Sequence, residues 1–470
     1  MKHVITVDFG STFTKIVVIN MDNRKVLLSE KVPSSVSIDA SIALKKCFEL
    51  AKTVISEDEL NNATKLASSS AAGGLRMSVI GLTDSLSTLA GKSAALGAGA
   101  KIIGNYSGLL TTEMVRELEE SRTEIILLCG GYEHGNSSMV YKNAHMLAHS
   151  NIQVPIIYAG NSDLDKEIRL LLISHQKECF IVENIIPELD VLNVEPTQKI
   201  IRNLFLERIT CMKGLNIVKE YFHNQLVPTP AAVLAAGELL SKGTDKKKGI
   251  GPLLIVDIGG ATTDVYSFSI NTCCEGAKLI GLKEPYGKRT VEGDLGMRES
   301  SGEVINEKYL NSIAEELEIT EEQLRASINH RVENIDYLPD CEIEVRIDDT
   351  IAKLATHTAV RRHAGKMINT FNKRCKNVQL GKNLTEISKI IGTGGILVYN
   401  NNPLKILKSA EKKNESKEVL MPEEVEAYLD TDYVLFSAGL LSEIDEDAAL
   451  EIMMKSIKRC WSKEKMKTTV

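Results

Sequence analysis

Twice in this chain an apolar strand runs into an acid, a glycine and a row of hydroxyl residues: VDFGSTFTK at 7–15 and IVDIGGATTDV at 255–265. Glycine lets a backbone turn tightly and brings its amides close to a ligand. Successive amides in such a turn attract anions, phosphate above all. In both stretches apolar residues resume at once, so each reads as strand, turn, strand. That pattern is not a Walker loop, because no G-x-x-x-x-G-K-S/T precedes a helix. It is not a dinucleotide fingerprint either, since that motif also opens into a helix. Taken singly, each stretch could be a plain hairpin. The recurrence, in order, points to two related halves that each present a phosphate turn.

The residue types assign roles. In the first turn Gly10, Ser11 and Thr12 face phosphate. Asp8 cannot bind phosphate directly, because both are anions. Its expected role is to hold Mg²⁺ through the metal's waters, since Mg²⁺ dehydrates reluctantly. Lys15 lies across the turn and, in a tight hairpin, returns its ammonium over the phosphates as a point charge. The second turn supplies Gly259, Gly260, Thr262 and Thr263 toward phosphate. Asp257 and Asp264 supply carboxylates toward the metal or an attacking water. A third glycine turn, IIGTGGILV at 390–398, stands between a strand and a helix. Gly392, Gly394 and Gly395 there would let a flat ring such as adenine approach the backbone.

The rest of the chain fits an α/β protein of several domains. Its 470 residues are 43% hydrophobic and 25% charged, enough for more than one core. Strands are expected at 3–8, 15–20 and 25–31 as a meander, then at 124–131, 154–160 and 179–184. Helices are expected near 41–53, 84–98, 111–120, 163–174 and 197–223. A polar, glycine-rich turn at 244–252 marks a boundary, giving lobes 1–243 and 244–470. The charged stretch 412–430 reads as a solvated loop with a short helix. The net charge of −7 argues against a non-specific nucleic-acid surface. No apolar run approaches the roughly 20 residues of a membrane span. Lys2 and His3 lead straight into a core strand, which does not suit a leader peptide, so a cytoplasmic protein is expected. Nine cysteines without a C-x-x-C read mostly as small buried residues, and the adjacent Cys273 and Cys274 would point to opposite faces of a strand.

The three glycine turns together resemble the two phosphate loops and the adenosine motif of the actin, Hsp70 and sugar-kinase ATPase superfamily. VPTPAAVLAAGELL (227–240) is similar to its connecting helix between lobes, with Ala231, Ala232, Ala235, Ala236 and Gly237 allowing close packing. FSAGLL (436–441), with Ala438 and Gly439, resembles a second connector. The implied fold is two ribonuclease H-like lobes with a nucleotide cleft between them, and the implied ligands are ATP and Mg²⁺. A closer likeness is carried by SSSAAGGLRMSVIGLT (68–83), IIYAGN (156–161), KRTVEGDLGMR (288–298) and RRHAG (361–365). These resemble the MutL family in the sense of the glutamate mutase accessory protein, not the mismatch-repair protein of that name.

That resemblance implies an ATP-dependent, chaperone-like reactivating factor. It would exchange damaged cobalamin for intact adenosylcobalamin in a mutase or aminomutase, with ATPase activity in support. The family's middle turn reads GGTDGGN, whereas this chain has GGYEHGN at 130–136. The partner therefore stays open between glutamate mutase and ornithine aminomutase. The expected mechanism has ATP closing two lobes, Asp8 positioning Mg²⁺ and Asp257 orienting the attacking water. ATP can shift that equilibrium only by binding the closed form better. No D-x-H-x-x-G is present, so tight cobalamin binding by this chain is not expected. Arg289, Glu292 and Asp294 read either as ribose or partner contacts or as local ion pairs. Arg361, Arg362 and His363 read as one basic face of a helix that continues through Asn369. The tail 455–470 reads as a helix end docked by Trp461. The alternatives are a small-molecule kinase of the same fold, an iron–sulfur redox activator and an actin-like filament.

Overall fold

The computed structural model describes all residues except Met1, Ser11, Ser37, 71–74, Asn136, Asp190, 210–220, 223–225, 371–376, Asn414 and 461–470. Ser11 of the first turn and Trp461 of the tail, both named above, therefore lie outside the described residues. The chain forms two compact units. One holds residues 1–236, 281–283 and 436–452, and the other 237–280, 284–435 and 453–470. The division falls inside three helices, Thr229–Lys242, Val434–Ser442 and Glu446–Ser456.

The first unit begins with the expected meander: β1 (His3–Phe9), β2 (Phe13–Asn20) and β3 (Lys25–Pro33). β1 is buried along its whole length. Ile5, Val7, Ile16 and Val18 face one core with no exposed surface, each contributing about 1.5–3 kcal/mol by leaving water. The helix Ala40–Ala51 starts on Asp39, whose side chain accepts from the Ser41 amide, and buries Ala40, Ala43, Leu44 and Cys47. That is the one-face spacing of an amphipathic helix. β4 (Thr64–Ser69) then pairs parallel to β1.

A second, five-stranded sheet follows in the chain before the first is completed. Its strands are β5 (Arg76–Gly81), β6 (Lys101–Ser107), β7 (Ile125–Gly130), β8 (Ile156–Gly160) and β9 (Cys179–Ile181). All pairs are parallel and the order is β6-β5-β7-β8-β9. Its strands read as near-continuous apolar runs such as IILLCG, as expected for a sheet covered on both faces. β10 (Leu226–Pro228) returns to the first sheet beside β4. The completed order is β10-β4-β1-β2-β3.

The second unit repeats this plan. β11 (Leu253–Ile258), β12 (Thr263–Phe268), β13 (Ala277–Ile280) and β14 (Gly287–Glu292) come first. β15 (Lys366–Asn369), β16 (Asn377–Leu380), β17 (Lys389–Thr393), β18 (Glu426–Leu429) and β19 (Lys458–Arg459) follow. The main sheet runs β14-β12-β11-β17-β18-β19, with β13-β16-β15 as a separate small sheet. β11 is antiparallel to β12 and β12 to β14, β17 is parallel to both β11 and β18, and β19 is antiparallel to β18. Strands β1, β2, β3, β4 and β10 thus correspond to β11, β12, β14, β17 and β18. Each unit contains a ribonuclease H-like set of five strands with the same order and directions, and the fold is the expected two-lobed α/β class.

Two local expectations are corrected. The stretch 412–430 holds no helix among its described residues, and its end is β18, a strand of the main sheet. Leu420, Met421, Val425 and Ala427 there are buried, so the acidic residues around them obscure a core segment. The basic helix stops at His363 instead of continuing, and Lys366–Asn369 is a strand. No described helix is long and apolar enough to cross a membrane.

Candidate functional site

In the first unit the β1–β2 hairpin sets Asp8 opposite Lys15. The Gly10 amide donates to the Phe13 carbonyl at 3.1 Å and closes the turn. A Cβ on Gly10 would stand 2.5 Å from that same carbonyl oxygen, so the position excludes any side chain. Thr12 is exposed and its carbonyl accepts from the Ser34 amide at 2.9 Å. Asp8 is buried, and both its oxygens are engaged. Ser68, its neighbour on β4, donates to Oδ1 at 3.0 Å, and the Thr229 hydroxyl donates to the same oxygen. The Lys15 ammonium lies 3.7 Å from Oδ2.

The second unit builds the same turn with different chemistry around it. The Gly259 amide donates to the Thr262 carbonyl at 2.9 Å, as Gly10 does to Phe13. Asp257 takes the place of Asp8, and Asp264 takes the place of Lys15. The Gly260, Ala261 and Thr262 amides make no hydrogen bond among the described residues, so three successive donors are available at the turn. Thr263 is buried and its hydroxyl donates to the Leu295 carbonyl, which makes it a structural tie. The third glycine turn meets this one within the unit. Gly394 has a φ of 98°, and a Cβ there would overlap the Ile258 carbonyl and stand 3.1 Å from Asp257 Oδ1. Gly395 has open space around its Cβ position. Gly392 instead sits in β17 against Leu397 and Leu407, where a Cβ would come within 2.9 Å of a leucine methyl. Tyr433 stands near Asp257; burial, then Tyr399 and Asp257, raise its pKa and keep the phenol protonated.

Of the two readings open for Arg289, the structure shows the local ion pair, and it helps to frame the second turn. Arg289 lies on β14, buried, with Nε donating to Asp264 Oδ1 at 2.8 Å. Burial alone would lower the Arg289 pKa, but Asp264 and Tyr266 outweigh it and leave it raised. Asp264 is thereby held as half of a buried ion pair. Gly296 presses on the turn, with its Cβ position 2.5 Å from the Gly260 carbonyl oxygen. The amides of Met297 and Arg298 donate to the Gly259 and Gly260 carbonyls at 3.0 and 2.8 Å. Arg298 then forks onto Asp348 at 3.1 and 3.0 Å, and Arg331 binds the same carboxylate at 2.8 Å.

The expected basic face at 361–363 is mostly consumed by internal pairing. His363 is fully buried between Thr290 and Ser267, at 2.8 and 2.7 Å. Arg362 pairs with Glu292 and Asp294, and Arg361 with Glu415. Ser68, Thr229, Gly296, Arg298 and Asp348 are contributors not singled out from sequence. Only Thr229 carried a local signal, as a hydroxyl beside the proline that opens a helix.

A family model described as "MutL protein" matches residues 4–457. Protein MutL of Clostridium tetanomorphum is 39% identical over 464 residues, covering 97% of this chain and 99% of that one. Among solved structures, gluconate kinase from Lactobacillus acidophilus aligns at a TM-score of 0.36 and 9% identity, covering 98% of this chain and 92% of that one. The ethanolamine utilization protein EutJ from Carboxydothermus hydrogenoformans aligns at 0.25 and 10%, covering 95% and 89%. At such scores these two likenesses carry no argument about function.

Proposed function

The chain belongs to the MutL family, and we propose that it is an ATP-dependent reactivating factor for an adenosylcobalamin-dependent mutase or aminomutase. The observation that supports the nucleotide reading is the duplicated turn. Asp8–Gly10 and Asp257–Gly259 occupy the same place in two sheets of the same order.

The donor set fits Mg-ATP. Three successive amides at 260–262 are unbonded among the described residues, as an anion site needs. Two hydroxyls orient Asp8 by one oxygen, so its other oxygen is left to Lys15 and to a water of the metal. Bound Mg-ATP supplies the binding and hydrolysis free energy that drives exchange on the partner. Asp8 orders the metal's waters, and Lys15 offers its charge to phosphate. Gly260, Ala261 and Thr262 donate amide protons to phosphate oxygens. Asp257 orients the attacking water, in a backbone frame fixed by Gly394 and the 296–298 loop. Gly395, open on its Cα side, gives an adenine ring room to approach.

Glutamate mutase and ornithine aminomutase both remain partners to test, in the cytoplasm. Each is loaded with cyanocobalamin and given free adenosylcobalamin with this protein and Mg-ATP, a non-hydrolysable analogue, or neither. Recovery of one enzyme with Mg-ATP alone is the expected outcome and names the partner. Recovery with the analogue as well assigns release to binding instead of hydrolysis. Recovery of neither enzyme, by protein that binds ATP, counts against the reading and favours a small-molecule kinase.

A further inference from the structure

Two neighbouring helices in the first unit end on matched histidines. The helix Ser138–Ala148 is capped by His149, and the helix Asp165–Ser174 by His175. In both, the ring Nδ1 lies 2.9 Å from the backbone carbonyl four residues earlier, that of His145 or Leu171. The Ser174 hydroxyl also lies 3.1 Å from Nδ1 of His175, while donating to the Leu171 carbonyl. A carbonyl only accepts, so each Nδ1 carries the proton, and each neutral ring keeps a bare lone pair on Nε2.

Those two Nε2 atoms are 3.2 Å apart. Two lone pairs so close repel unless something positive is shared between them. The surroundings favour a cation, because both rings stand at helix C-termini, the negative ends of the helix dipoles. His145, one turn before His149, stacks its ring on that of His149 with centroids 4.1 Å apart. Lys177 ties this corner together by donating to the Ser150 and Ile152 carbonyls at 2.8 and 2.6 Å.

We propose that His149 and His175 bind a first-row divalent transition cation of the Zn²⁺ or Ni²⁺ class. Metal–nitrogen bonds of about 2.0–2.1 Å at a near-tetrahedral angle set two nitrogens about 3.3 Å apart. An Nδ1–H donated to a carbonyl is the support that fixes the tautomer of a ligating histidine. Imidazole selects this class over Mg²⁺ or Ca²⁺, which prefer oxygen. Among the described residues no three ligating groups converge on one point, so the protein supplies two nitrogens. Water, or a donor from another molecule, completes the shell. None of these residues belongs to the acid–glycine turns, and the inference stands apart from the nucleotide reading.

The test titrates chelator-stripped full-length protein with Ni²⁺ by calorimetry, alongside His149→Ala and His175→Ala. About one ion per chain is expected, with affinity falling about tenfold or more in each variant. Melting temperatures in chelator verify that both variants fold. X-ray absorption of the Ni²⁺-loaded wild type gives an independent reading, and scattering from two imidazole rings is expected. Wild-type protein that takes up no Ni²⁺ overturns the proposal. So does affinity unchanged in both variants, or a spectrum without imidazole scattering.

Discussion

Gly439 lies so close to Ala232 that a Cβ on the glycine would overlap the Ala232 carbonyl. The obstacle is backbone, which cannot swing aside as a side chain could. This is where the small residues of the two helices matter most, whereas Ala235, of the same composition, is exposed. Gly439→Val is expected to cost about 3 kcal/mol or more, and Gly439→Ala a smaller but measurable loss, by overpacking. Ala235→Ser should stay within about 0.5 kcal/mol. Urea midpoints of the three variants check the ranking.

Asp348 is the shared acceptor of two buried guanidinium groups, Arg298 and Arg331. Asp348→Asn removes the charge and leaves both cations buried, at an expected loss of about 3–5 kcal/mol. Arg298→Lys keeps the charge but loses the two-pronged fit. Its loss should be smaller in urea, with a larger fractional loss of ATP affinity, because Arg298 carries the loop seated on Gly260.

His363 gives the fold an acid limit. Burial, with Lys288 and Lys382 adding to it, holds its pKa well below the ordinary value. The unfolded chain therefore takes up a proton near pH 6.5 that the folded chain refuses. Stability from this group is full above that pH and is lost as pH falls below it, by up to about 1.4 kcal/mol per pH unit. Urea midpoints between pH 7.5 and 5 should fall less steeply for His363→Gln than for the wild type.

The two hairpins were legible because their chemistry is local: apolar alternation, an acid, a glycine and hydroxyls within nine residues or so. The partners of Asp8 were not, since Ser68 and Thr229 arrive from strands and helices far along the chain. β18 is hidden in the sequence because its flanking acids look solvated, while Ala427 packs inside the sheet. Arg289, left open between a ligand contact and a local ion pair, is a buried strand residue whose charge is matched by Asp264 on the neighbouring β12. Charge pairing inside a sheet has no signature in spacing. The strand order of the inserted parallel sheet likewise depends on long-range pairing that periodicity does not encode.

Asp8 and Asp257 are expected to separate by role. Asp257→Ala should lower ATP hydrolysis by about 100-fold or more with modest change in ATP affinity, as for a group acting on the attacking water. Asp8→Ala should weaken the Mg²⁺ dependence and lower both quantities. Thr229→Val should produce a milder form of the Asp8 phenotype. Single-turnover hydrolysis across a Mg²⁺ series distinguishes the three.

The most direct measurement is Mg-ATP binding by calorimetry to the wild type, to Gly10→Val in the first turn and to Gly259→Val in the second. One Mg-ATP per wild-type chain, dependent on Mg²⁺, is the expected result, with affinity lowered by about tenfold or more in each folded variant. A wild type that binds no ATP, or binding unchanged in both variants, would contradict the role given to the paired turns.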